Sequence, residues 1–184
     1  MTLQNGAGHE DLLKEFVDED HIVIGTTEDN GAVLGMGHVR RGGTGVTNVG
    51  MLVEDKEGFL PQLKEAFDQC GFNVKIHENI QTLIWDKLFT NVSLSALTGV
   101  LQVDMGYIAA NEYAWDLCCQ LIHETVKTAA AAGLNFDEEK VREKVKNTSI
   151  NNPNGCTSIR ADLRDGRRTE VDTISGAVVR AAHK

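Results

Sequence analysis

The sequence predicts two successive regions of different class, an α/β region over residues 1–78 and an all-α region over residues 79–184. Three observations carry that reading. Short runs rich in β-branched residues, separated by Gly and Asn turns, fill the first region together with one amphipathic helix. Beyond residue 78, apolar residues recur at helical spacing and no further strand pattern follows. The charge divides at the same place: residues 1–78 carry 6 basic and 14 acidic side chains, a net of −8, against 12 and 13 in residues 79–184, a net of −1.

In chain order, residues 8–17 read as a short helix after a Gly-rich turn. Residues 22–27, 33–40 and 46–53 read as strands, with Asp29-Asn30-Gly31 as a tight turn between the first two. Residues 57–70 form an amphipathic helix (Phe59, Leu60, Leu63, Phe67) closed by Gly71, and residues 73–77 a last strand. Residues 80–101 read as one unbroken helix with Ile80, Leu83, Ile84, Leu88 and Val92 on one side. A long helix over 112–132 is closed by Gly133. A polar, exposed helix follows at 137–146, then a loop at 151–155, a short helix at 157–163 and a final helix from Glu170 onward. That helix stops without a cap or Gly, and no strand precedes Asn5, so the chain reads as cut at both ends.

Composition excludes several classes. Aromatics are 5% of the chain, so the core is aliphatic. A net charge of −9 argues against nucleic acid or an anionic membrane as partner. No apolar run reaches about 18 residues, and no charged-then-apolar leader is present; the expectation is a cytoplasmic protein. Cys70, Cys118, Cys119 and Cys156 lack C-x-x-C spacing and read as reduced, mostly packed thiols. The six histidines show no paired spacing, so no metal site is expected. Arg160, Arg164, Arg167 and Arg168 cluster closely enough for a local anion site.

A dinucleotide fingerprint is missing. Gly6-Ala7-Gly8-His9-Glu10-Asp11 begins like G-x-G-x-x-G, but Asp11 would set a carboxylate where pyrophosphate docks, and no strand precedes it. Gly43-Thr44-Gly45 fails as well, because a strand follows it. These glycines are turn residues.

Lys87, Asn91 and Ser95 stand at i, i+4, i+8 and share one stripe of the predicted helix. When hydride reaches a carbonyl carbon, negative charge grows on oxygen; an ammonium within reach stabilises it and supplies the proton. Alone, K-x-x-x-N is common on helix surfaces. Downstream, however, Ser158, Asp162, Gly166, Arg167, Thr169, Glu170, Asp172 and Gly176 stand in the uninterrupted spacing S-x-x-x-D-x-x-x-G-R-x-T-E-x-D-x-x-x-G. With Lys87-x-x-x-Asn91, Leu3-Gln4-Asn5-Gly6 and Ala96-Leu97-Thr98, this closely resembles the ketopantoate reductase family over nearly the whole chain.

The resemblance implies the following. Residues 1–78 are the last part of a Rossmann domain, an α/β remnant, and residues 79–184 an all-α C-terminal domain like that of 6-phosphogluconate dehydrogenase. The activity is reduction of a small 2-oxo acid to a 2-hydroxy acid with NAD or NADP. Lys87 is the general acid and Glu170 aims it. Asn91, Ser95 and Ser158 bind substrate, and Asn5 lies where cofactor and substrate meet. A homodimer through the helical domain, using the 112–132 helix, is implied too. Ser95 and Met105 stand where the family usually has Asn. Losing those amides suits an apolar substrate, as in the D-mandelate type of D-2-hydroxyacid dehydrogenase, while ordinary drift in a ketopantoate reductase is the alternative. A third reading makes this chain a catalytically inactive structural or dimerisation piece.

Overall fold

The structure, a computed structural model, describes residues 1–184. It divides into two compact units: Met1–Gln4 with His9–Ile84, and Asn5–Gly8 with Trp85–Lys184.

In the first unit a short helix α1 (His9–Leu13) and a 3-10 turn (Glu19–His21) precede β1 (Val23–Thr27). β4 (Val46–Met51) pairs antiparallel with β1, Val23 opposite Met51, and parallel with β5 (Asn73–Ile76), Val46 opposite Asn73. Between them runs α2 (Phe59–Gln69), the crossover helix that a parallel pair requires. Val23, Val49, Met51 and Val74 pack from the sheet against Leu60 of α2, with Leu3, Leu63, Phe67 and Phe72 around them. Both ends of α2 are satisfied by local chemistry. The Asp55 carboxylate accepts the N–H groups of Phe59 and Leu60 at 2.9 and 2.8 Å. Gly71, at φ +83°, closes the last turn, with Phe72 N–H donating to Phe67 O at 3.1 Å.

The strand expected over 33–40 is instead two, β2 (Gly31–Gly35) and β3 (His38–Arg41), joined at Met36-Gly37 with Gly37 at φ +69°. A hairpin turn therefore lies inside the expected strand, and Asp29–Gly31 joins β1 and β2 without pairing them, because β1 pairs with β4. Asn30 instead clamps the base of this ribbon, its side-chain oxygen accepting from Gly43 N–H at 3.0 Å.

The second unit is helical. The helix expected over 80–101 is interrupted: α3 (Ile80–Thr90) runs into a π-helical segment (Asn91–Ser95) and then α4 (Ala96–Leu101). A short helix without an expected counterpart, α5 (Met105–Ala110), follows. α6 (Glu112–Ala131) buries Ala114, Cys118, Ile122, Thr125 and Ala129, one stripe at helical spacing. Asn111 caps its start, accepting from Ala114 N–H at 3.0 Å, and Gly133 at φ +82° ends it. α6 packs on the π segment, on α5, on α7 (Glu138–Asn151) and on α9 (Ser175–Ala182). α7 is longer than expected and not fully exposed; Val141, Val145 and Ser149 form a buried i, i+4, i+8 stripe. α8 (Ser158–Arg164) packs against α4 and the π segment.

The final helix starts at Ser175, not at Glu170. Residues 170–174 make a looser turn, in which Glu170 O accepts from Thr173 and Ile174 and the Gly176 N–H reaches back to Val171 O. Ile174, at φ −97° and ψ −86°, breaks the helical path. All four cysteines are free, and Cys70 and Cys156 are exposed rather than packed.

Candidate active site

A π turn takes up more residues than an α turn, because its hydrogen bonds run i→i+5. Ala96 N–H accordingly reaches Asn91 O. The π turn interrupts the regular helical spacing predicted for Lys87, Asn91 and Ser95: Lys87, in the last turn of α3, and Asn91, opening the π segment, are half-buried, while Ser95 closes that segment and is buried at 5% exposure. Two hydroxyls support the carbonyls of the widened turn. Fully buried Ser93 donates to Phe89 O at 2.6 Å, and Thr98 to Leu94 O at 2.8 Å.

Ser158 is exposed and is the first residue of α8. Thr157 precedes it as the cap, its hydroxyl accepting from Arg160 N–H at 3.4 Å. Gly99 lets the helices meet: a Cβ there would lie 2.6 Å from Ile159 Cγ2.

Asn5 and Glu170 come together from opposite ends of the chain, Nδ2 donating to Oε2 at 3.1 Å. The Asn5–Gly8 segment is held by a backbone bond, Ala7 N–H to Thr173 O at 3.0 Å. All six expected site residues (Asn5, Lys87, Asn91, Ser95, Ser158 and Glu170) therefore belong to the second unit.

The Gly6-Ala7-Gly8 turn does not fit a dinucleotide pyrophosphate. A Cβ on Gly6 would lie 2.0 Å from Thr173 O, so protein backbone already fills the space a phosphate cradle needs. With Asp11 in the third place, the G-x-G-x-x-G pattern is not completed either.

The tail arginines form no open anion site, because aspartates occupy them. Arg160 pairs with Asp104, Arg164 with Asp165 at 2.8 Å, Arg167 with Asp162 and Asp165 at 2.9 and 2.7 Å, and Arg168 with Asp172 at 3.5 Å. Hydrogen bonds from Arg164 and Arg167 hold the Asp165 carboxyl down to about 2. Met105 is also committed: it is buried, its N–H donates to Gly155 O, its carbonyl accepts from Ser149, and a Cβ on Gly155 would meet its sulfur at 2.6 Å.

A cleft of about 810 Å³ opens in the first unit, but Asp18, Glu19, Asp20, Glu54, Asp55 and Glu57 line it. That lining repels a carboxylate substrate, and none of the six site residues faces it. Asp18, Asp20 and His21 gather at its rim, all exposed.

Comparison with known proteins adds to this geometry. Residues 79–184 match the family described as ketopantoate reductase PanE/ApbA C terminal, and residues 1–54 the family described as ketopantoate reductase PanE/ApbA. A 2-dehydropantoate 2-reductase of Halobacterium salinarum is 31% identical over 99% of this chain and 60% of that protein. One from Pyrococcus horikoshii is 30% identical, again over 99% of this chain and 60% of the relative. The solved complex of D-mandelate dehydrogenase with NADH has a TM-score of 0.90 at 27% identity, over 98% of this chain and 62% of that one. The chain thus spans about 60% of the length of the curated relatives it matches. No helix is long and apolar enough to cross a membrane.

Proposed function

This chain belongs to the ketopantoate reductase family, and from that premise we propose that the protein reduces a 2-oxo acid to a D-2-hydroxy acid, with Lys87 as general acid. What supports the reading is that Lys87, Asn91, Ser158 and the hydrogen-bonded Asn5–Glu170 pair all belong to one compact unit. NAD or NADP, when bound, would supply the hydride. The chain's own residues do the rest. Asn91 and Ser158 hold substrate oxygens, with Ser158 nearest the carboxylate and Ser95 beside them. Glu170, fixed by Asn5, keeps Lys87 charged and aimed. The proton on Lys87 Nζ passes to the oxygen that becomes the new hydroxyl as C2 gains its hydrogen.

For substrate we favour an apolar 2-oxo acid. Support comes from Ser95, which offers no amide, and from the likeness to D-mandelate dehydrogenase. Met105 adds little, since its side chain packs on the 152–155 loop. The curated relatives favour the second reading, 2-dehydropantoate 2-reductase. The test is kcat/KM of the full-length protein for phenylglyoxylate and 2-ketoisocaproate against ketopantoate, each with NADH and NADPH. Preference for the first two supports the proposal, preference for ketopantoate replaces it with the second reading, and no turnover of any of them refutes both. We place the protein in the cytoplasm as a homodimer. Exposed Tyr113 and Leu117 on α6 supply apolar surface for the partner, and sedimentation analysis reads the dimer directly. This chain by itself we read as inactive; micromolar binding of NADH or NADPH to it overturns that.

A further inference from the structure

Thr98 is fully buried, and its hydroxyl has three oxygen neighbours: Leu94 O at 2.8 Å, Ser95 O at 3.2 Å and Thr157 Oγ1 at 2.8 Å. A hydroxyl has one proton to give and two lone pairs to receive with. Carbonyls only accept, so any bond Thr98 makes to the π-segment carbonyls uses its single proton. The Thr157 hydroxyl has one other partner, the Arg160 N–H, which is itself a donor. Thr157's proton therefore has no acceptor except Thr98. The arrangement that gives both hydroxyl protons an acceptor runs one way: Arg160 N–H donates to Thr157, Thr157 to Thr98, and Thr98 to Leu94 O.

This relay joins two places the chemistry needs in register. One end is the π segment that begins at Asn91; the other is the cap of α8, whose next residue is Ser158. Both hydroxyls are buried, with Thr157 at 8% exposure, so water does not replace a lost partner cheaply. The fit leaves no slack, because Gly99 and Ile159 are already in close contact beside it. α8 can shift along α4 only by breaking the bond between the two threonines.

We propose that Thr98 and Thr157 are positioning residues that set Ser158 against Asn91 for binding of the substrate carboxylate. The proposal rests on the functional reading above, in which Ser158 and Asn91 hold the 2-oxo acid. Neither threonine touches substrate; they act through the placement of α8. Valine at either position keeps the shape and removes both the donor and the acceptor, whereas serine keeps the hydroxyl.

The test is steady-state kinetics of the full-length protein with its best 2-oxo acid. Thr98→Val is expected to raise the KM for the oxo acid about five- to tenfold, with kcat and the KM for the nicotinamide cofactor little changed. Thr98→Ser restores the KM. The double variant Thr98→Val with Thr157→Val is no worse than the worse single one, because one bond is lost either way. In a Ser158→Ala background, Thr98→Val adds nothing further. A lowered melting temperature with unchanged oxo-acid KM overturns the proposal, as does an additive double variant. Should Thr98→Val fail to fold, the pair Thr157→Val and Thr157→Ser decides on the same readouts. If Ser158→Ala itself leaves the KM untouched, the reading of Ser158 fails first. If Ser158→Ala raises the KM and Thr98→Val does not, the coupling alone fails.

Discussion

Asn5 and Glu170, 165 positions apart in the chain, meet through one hydrogen bond from the Asn5 amide to the Glu170 carboxylate at 3.1 Å. A carboxamide is the group of this size that can donate to an acid without adding charge. Asn5→Asp turns the contact into two facing carboxylates. It is expected to destabilise the protein by about 1–3 kcal/mol at pH 7, more than Asn5→Ala does. Urea denaturation of the three proteins measures the difference; equal stability of the two variants removes the pairing from the account.

Lys87→Ala tests the general acid. Loss of a positioned proton donor lowers rates by about 10²- to 10⁴-fold. In the full-length protein that loss is expected in kcat, with the thermal midpoint moved by no more than a few degrees. Turnover within about threefold of the parent takes Lys87 out of the mechanism.

Ser93 holds the widened turn together. Its hydroxyl is buried and donates to Phe89 O at 2.6 Å. Ser93→Ala leaves that carbonyl short of a partner where water does not reach, at a cost of about 1–3 kcal/mol. Chemical denaturation reads the cost, and an exposed-site control such as Asn147→Ala sets the background. A cost no larger than the control's shows the turn holding without the hydroxyl.

Cys118 predicts an alkaline weakness. It is fully buried, and burial pushes its thiol from 9.0 up to about 11, with a hydrogen bond to Ser93 acting in the opposite sense. The folded value lies above the unfolded one, so the neutral thiol's contribution is complete below pH 9 and is lost as pH rises through about 11. Between pH 8 and 10.5 the stability difference between the parent and Cys118→Ala is expected to change by about 2 kcal/mol against the parent. Parallel pH profiles contradict the assignment.

Much of this was legible in the sequence. The boundaries of α6 follow from its apolar stripe and from Asn111 and Gly133, which act locally and leave a mark in the letters. The expected site residues could be named because the motif spacing survives without any knowledge of packing. The π segment was not legible, since its neighbours still show helical periodicity and the extra width is stabilised by tertiary contacts with α6 and α8. Thr98 and Thr157 were visible only as a motif letter and a helix start. Their bond spans 59 positions, and nothing in local spacing announces it. The β2–β3 turn leaves no such mark, since it lies inside a run that reads as one strand, while Asn30-Gly31 has the composition of a hairpin tip, yet Asn30 bonds across the base. The Glu170 segment read as helix because its letters permit one, and only the backbone angles at Ile174 break it.

The β2–β3 ribbon has a consequence for how the molecule opens. It is a sheet of two strands, separate from the three-stranded one, and Val33, Leu34, Met36 and Val39 all face solvent. Two strands without a covered face are marginal in water, and here the anchorage is Asn30 and the Arg41–Asp29 ion pair at the base. Its amides belong at the fast end of hydrogen–deuterium exchange, trading protons through local fraying, while those of β4 and α6 wait for global unfolding. The same fraying offers trypsin its first cut, after Arg40 or Arg41, with the buried sheet still intact on either side of the nick.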